Sequence, residues 1–125
     1  MKALLPGLTG SFRAPVTDAD SAIALGSGSV PVLATPRLVA WLEAAAVQAM
    51  GETIPDGYTS VGTLIEMQHL AATPIGGAVT AVATVVSVDG KTVEFDLQAT
   101  DDRAVIAKGR HVRAIVNEDR FLARL

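Results

Sequence analysis

The pattern of apolar and polar positions changes period once along the chain. From Pro36 to Met50 (PRLVAWLEAAAVQAM) apolar residues occupy nearly every side of a helical wheel. Thr35 and Pro36 supply a start signal, with the hydroxyl as N-cap and the proline at the first helical position, and Gly51 supplies a stop. A helix apolar all round is expected to be enclosed by the rest of its fold. From Tyr58 onward the period falls to two. Four strands are predicted, VGTLIEMQHLAA (61–72), AVTAVATVVSV (78–88), TVEFDLQAT (92–100) and AVIAKGRHVRAIV (104–116), joined by TPIGG, Asp89-Gly90 and Asp101-Asp102. Connections this short make neighbouring strands antiparallel. Upstream, residues 11–17 form a further candidate strand, and DADSAIALGSGSVPVLAT reads as a small-residue, loop-like cover. One long helix with no second helix to shield its far side predicts an α+β fold, a curved antiparallel sheet wrapped around the helix, in a single domain spanning 1–125.

Two polar residues break this pattern. Glu43 is the only acid in the helical run, set among Leu42, Ala44, Ala45 and Ala46, where a carboxylate needs a partner, a raised pKa or a task. His69 lies in the first long strand. Strict alternation places Val61, Thr63, Ile65, Met67, His69 and Ala71 on the helix-facing side, with Glu66 and Gln68 opposite. His69 then projects toward the helix that carries Glu43, either beside that residue or across a shared cleft.

Composition narrows the chemistry. Half of the 125 residues are hydrophobic and 18% are charged, more apolar surface than a small monomer easily hides, which points to self-association. The absence of cysteine removes disulfides, thiolate zinc sites and a cysteine nucleophile, and two histidines without clustered acids offer poor metal-ligand spacing. A net charge of −3 with no basic run gives no footprint for nucleic acid or an anionic membrane. The opening MKALLPGL is too short and too broken for a signal peptide, and the longest uncharged apolar run is too short for a spanning helix, so a cytoplasmic protein without a cofactor is expected.

The stretch from Thr35 through Glu43 to His69 resembles the hotdog-fold thioesterases, in particular the fluoroacetyl-CoA thioesterase-like family. The residues that carry the resemblance are a threonine followed eight positions later by a glutamate, Gly62-Thr63, the run HLAATPIGG opening on His69, and the G-x-H-x-R-A spacing of Gly109, His111, Arg113 and Ala114. It covers residues 32–116. The resemblance implies a catalytic threonine, glutamate and histidine at Thr35, Glu43 and His69. It implies a glycine near the thioester at Gly62, an arginine on the coenzyme A side at Arg113, and a homodimer or dimer of dimers with acyl-CoA bound between subunits. Where the family's characterised member carries a lid of aromatic residues, this chain has Gly26, Ser27, Gly28, Ser29 and Val30.

Thioester hydrolysis suits these residue types. Glu43 serves either as nucleophile or as general base on water, His69 orients or deprotonates water, and the Thr35 hydroxyl positions Glu43 or the carbonyl. Backbone donors at the helix start or near Gly62 suit the oxyanion. Val32, Leu33 and Leu38, with Trp41 one turn on, suggest an apolar acyl pocket open to short and medium chains, with little discrimination between fluoroacetyl and acetyl groups. Each residue also has a structural reading: Thr35 as a plain N-cap, His69 as a hydrogen-bonded core residue, His111 and Arg113 as interface or surface groups. Two other functions compete, a non-catalytic acyl-CoA-binding protein and a hydratase or dehydratase of the same fold. The hydratase pattern places an aspartate five residues before its histidine, where this chain has Leu64 and Ile106.

Overall fold

The computed structural model describes residues 3–125. In chain order the elements are β1 (Thr9–Pro15), α1 (Ala22–Leu25), α2 (Thr35–Met50), β2 (Tyr58–His69), β3 (Ala78–Asp89), β4 (Thr92–Thr100), β5 (Val105–Asn117) and α3 (Glu118–Ala123). The five strands form one antiparallel sheet in the order β1-β3-β4-β5-β2. It curls around α2, which packs chiefly on β1 and β3. Leu38, Leu42, Ala45, Ala46 and Met50 on the helix meet Val79, Ala81, Val85, Val93, Phe95 and Leu97 on the sheet. The closest approach is at Gly10, where a Cβ would overlap the Ala45 carbonyl and the Ala49 amide. Glycine there lets β1 cross against the helix backbone.

The predicted strands 78–88, 92–100 and 104–116 match β3, β4 and β5 closely, and the candidate strand 11–17 is β1. Several expectations change. The strand expected over 61–72 runs from Tyr58 and ends at His69, and just beyond it the Leu70 amide still donates to the Ile106 carbonyl at 2.7 Å. The loop-like cover contains the short helix α1 and is stitched to the body: the Leu33 amide donates to the Thr73 carbonyl at 2.8 Å, the Ala34 amide to the Asp20 carbonyl at 2.9 Å, and Arg37 pairs with Asp20 at 3.0 Å. Thr35 is the first helical residue rather than the cap. Ala34 holds the N-cap position without a side-chain bond, and Pro36 falls one residue later than expected, where its missing N–H still costs nothing. Gly51 ends α2 with right-handed backbone and leads into a 3-10 turn, Gly51–Thr53, in place of a left-handed stop.

Two corrections bear on the site. First, α2 is not enclosed all round. Its outer face, with Val39, Ala40, Ala44 and Val47 around Glu43, is left open by the sheet, and Val47 is 48% exposed. Second, the alternation in β2 does not run unbroken. Gly62 pairs with Arg113 but Leu64 pairs with Val112, which leaves Thr63 as an extra residue in a β-bulge. A bulge inverts the facing of the strand beyond it. Ile65, Met67 and His69 therefore keep the inward parity expected of them, while Val61 and Thr63 lose it to Ser60 and Gly62.

Candidate active site

Thr35 and His69 form one polar cluster. The end of β2 brings His69 beside the first turn of α2, and Thr35 Oγ1 lies 2.8 Å from His69 Nδ1. Because Thr35 is not spent on capping, its hydroxyl is available to fix the ring. His69 Nε2 is buried and makes no hydrogen bond among the described residues. Burial pushes the His69 imidazole below its ordinary pKa, against an opposing backbone contact at Ala71, so the ring is held neutral. With Thr35 donating to Nδ1, Nε2 carries the proton and is a donor; with Thr35 accepting, Nε2 is a base. A cavity of about 330 Å³ opens beside the pair, walled by Val30, Val32, Leu33, Leu70 and Ala71. Leu38 and Trp41, expected in the acyl pocket, are buried in the core and do not line it.

Glu43 belongs to a second cluster. Its Oε2 accepts from Arg113 Nη1 at 3.0 Å and lies 3.7 Å from His111 Nε2. The carboxylate is 38% exposed, and Oε1 has no hydrogen-bond partner among the described residues. Arg113 is held from all sides: Nε donates to Ser60 Oγ at 2.9 Å, Nη2 to the Ser60 carbonyl at 3.0 Å, and Nη1 lies 3.1 Å from His111 Nε2. His111 completes the set, with Nδ1 2.7 Å from the Leu64 carbonyl. That carbonyl accepts only, so Nδ1 carries the proton and Nε2 is the acceptor for arginine. Burial lowers the His111 pKa and the Arg113 charge lowers it further, against the Leu64 carbonyl and Glu43. Gly62 is the gap that admits the carboxylate, since a Cβ there would sit 2.6 Å from Glu43 Oε2.

The structure thus pairs Thr35 with His69, and Glu43 with Gly62 and Arg113, but it does not bring Glu43 to His69 within one chain. Eight residues of α2 separate Thr35 from Glu43, about 12 Å of helical rise. Arg113, expected on the coenzyme A side, points inward at 6% exposure with its guanidinium engaged by Ser60 and Glu43. Neither His111 nor Arg113 is a surface group. Ser60 is the member of this cluster that the sequence reading passed over. Its signal is the bulge, and only a parity break at Gly62-Thr63 would have revealed it.

Among the described residues, no three His, Cys, Asp or Glu side chains gather as a metal site. No helix among them is long and apolar enough to cross a membrane.

A long helix laid in a curled five-stranded antiparallel sheet is the hotdog fold. Residues 16–119 match the family described as fluoroacetyl-CoA-specific thioesterase. The fluoroacetyl-CoA thioesterase of Streptantibioticus cattleyicolor is 37% identical over 94 residues, which span 75% of this chain and 68% of that one. The solved structure of the fluoroacetyl-CoA thioesterase FlK superposes with a TM-score of 0.93 at 29% identity, covering 98% of this chain and 96% of FlK. A thioesterase superfamily member from Thermus thermophilus shares the fold at a TM-score of 0.90 and 24% identity, covering 98% of this chain and 91% of that one. The chain belongs to the fluoroacetyl-CoA-specific thioesterase family and is an acyl-CoA thioester hydrolase.

Proposed function

We propose that the protein, a single domain working in the cytoplasm, hydrolyses short to medium acyl-CoA thioesters in clefts shared by two copies of the chain, with Glu43 of the partner subunit facing Thr35 and His69. The observation that carries this reading is the separation of the two clusters within one chain. Two further features support it. The outer face of α2 is apolar around Glu43, and the long strand β2 lies at an edge of the sheet among the described residues. Residues 35 and 43 are symmetric about Val39. An antiparallel crossing of two α2 helices centred there places position 35 of one opposite position 43 of the other, and a twofold axis makes both clefts alike.

In such a cleft the Glu43 carboxylate attacks through Oε1, either directly on the acyl carbon to give an anhydride that water then opens, or through a water whose proton it takes. His69 Nε2, fixed through Thr35, steadies the carbonyl oxygen as negative charge develops. The C–S bond breaks, the acyl group leaves as the acid, and coenzyme A departs as thiolate or thiol. The cavity beside Thr35 exceeds what a two-carbon acyl group fills, and the 26–29 segment brings no bulky side chain to it, so little preference for fluoroacetyl over acetyl is expected.

Subunit mixing tests the shared cleft. Glu43→Ala and His69→Ala proteins, each inactive alone, are unfolded, mixed and refolded together. A mixed dimer regains one complete cleft, and statistical pairing gives about a quarter of wild-type activity. No recovery in verified mixed dimers, or a monomer in light scattering at micromolar concentration, would sink the proposal.

A further inference from the structure

Arg113 is fixed by its neighbours more tightly than its pairing with Glu43 alone requires. A guanidinium presents its donors in a rigid plane, so binding at three nitrogens leaves it no rotation. Ser60 takes two of them, Nε through its hydroxyl at 2.9 Å and Nη2 through its own carbonyl at 3.0 Å. The third, Nη1, then has one direction left. It points between His111 Nε2 at 3.1 Å and Glu43 Oε2 at 3.0 Å. His111 sits there as an acceptor because its Nδ1 proton is committed to the Leu64 carbonyl. The bulge at Thr63 makes this possible by turning Ser60 and Gly62 to the same side as Arg113.

We propose that Ser60 is a positioning residue for turnover: it seats Arg113 so that one carboxylate oxygen of Glu43 is held and the other is presented to the thioester. The inference rests on the reading of Glu43 as the attacking group. Ser60 does not touch substrate in this account. A serine that merely satisfied a buried donor would influence stability; a serine that aims Glu43 influences the chemical step through that residue alone.

The test is a double-mutant cycle on acetyl-CoA hydrolysis, followed by release of free thiol. Ser60→Ala is expected to lower kcat about tenfold through misorientation of the carboxylate, with KM within about twofold of wild type. Ser60→Thr, which restores the hydroxyl, should recover most of the loss, whereas the isosteric Ser60→Val should not. That pair keeps the comparison readable if the alanine variant folds poorly. In a Glu43→Gln background, Ser60→Ala should cause no further loss, because the group it aims is gone. An unchanged kcat in Ser60→Ala, equal activities of the threonine and valine variants, or the same proportional loss in the Glu43→Gln background would overturn the positioning role while leaving Glu43 in place. A Glu43→Gln protein as active as wild type would overturn the role of Glu43 and the function of Ser60 with it.

Discussion

The two polar clusters of this chain are built to different degrees of completion. Around Glu43 nearly every valence is satisfied: Arg113 binds Ser60, His111 and the carboxylate, His111 binds the Leu64 carbonyl, and Glu43 Oε1 alone has no partner among the described residues. Around His69 the bond to Thr35 fixes the ring, and the other nitrogen is buried without a hydrogen-bond partner among the described residues, beside an open cavity. The first cluster is a finished mount for a charge. The second leaves one ring nitrogen uncommitted among the described residues. A group that attacks gains from a rigid mount, and a group that meets the carbonyl oxygen must wait for it, so the contrast matches the division of labour proposed for the two.

The largest expected effects come from breaking either cluster at its centre. Glu43→Ala and His69→Ala should each lower kcat by about 10² to 10³ or more while the fold and the assembly persist. Glu43→Gln separates charge from shape and is the sharper variant. Thiol release near the wild-type rate in the glutamine protein would exclude Glu43 as nucleophile and as base together.

Gly62→Ala strains the finished mount without removing a functional group. The new methyl would sit 2.6 Å from Glu43 Oε2 and press the carboxylate away from Arg113, lowering kcat by about 10- to 100-fold. Enlarging the cavity wall addresses the other cluster. Val30→Phe should narrow the space beside His69 and shift the kcat/KM profile toward shorter acyl chains, by about tenfold for each methylene displaced. An acyl-length profile that Val30→Phe leaves unmoved would mean that the cavity does not hold the acyl group, and a large native preference for fluoroacetyl over acetyl would mean that selectivity lies in Thr35, Glu43 and His69 themselves.

The sequence made the sheet legible because period-two alternation and turn residues are local signals. It placed β3, β4 and β5 to within a residue or so. It misread what depends on a single inserted residue or on a missing neighbour. The bulge at Thr63 changes parity without changing composition, so strict alternation from His69 assigns Val61 and Thr63 to the helix-facing side and gives no signal for Ser60. Glu43 stands out as an acid among alanines, but the apolar outer face of α2 reads as core because exposed apolar residues look the same in sequence as covered ones. Thr35 carries two signals, as cap and as site residue, and the backbone places the cap one residue earlier, at Ala34. The pairing of Arg113 with Glu43 joins positions 70 apart in sequence, and no local pattern encodes such a contact.

The smallest expected effect concerns the two histidines and also compares the clusters. Burial holds both imidazoles below the ordinary value of 6.5; at His111 the Arg113 charge adds to burial while the Leu64 carbonyl and Glu43 oppose it, and at His69 only the backbone at Ala71 opposes. The unfolded chain therefore takes up protons near pH 6.5 that the native rings refuse. Stability contributed by these groups is complete above 6.5 and declines as pH falls from there toward the folded-state values, because the unfolded state binds more protons in that window. His111 is 1% exposed and faces a fixed cation, whereas His69 borders an open cavity. His111→Gln should consequently flatten the fall of Tm with acidification more than His69→Gln does. Thermal melts of the two variants across pH 5 to 8 check this, and an equal flattening, or a steeper slope in either variant, would mean that the cluster around Arg113 does not resist protonation more strongly than the one beside the cavity.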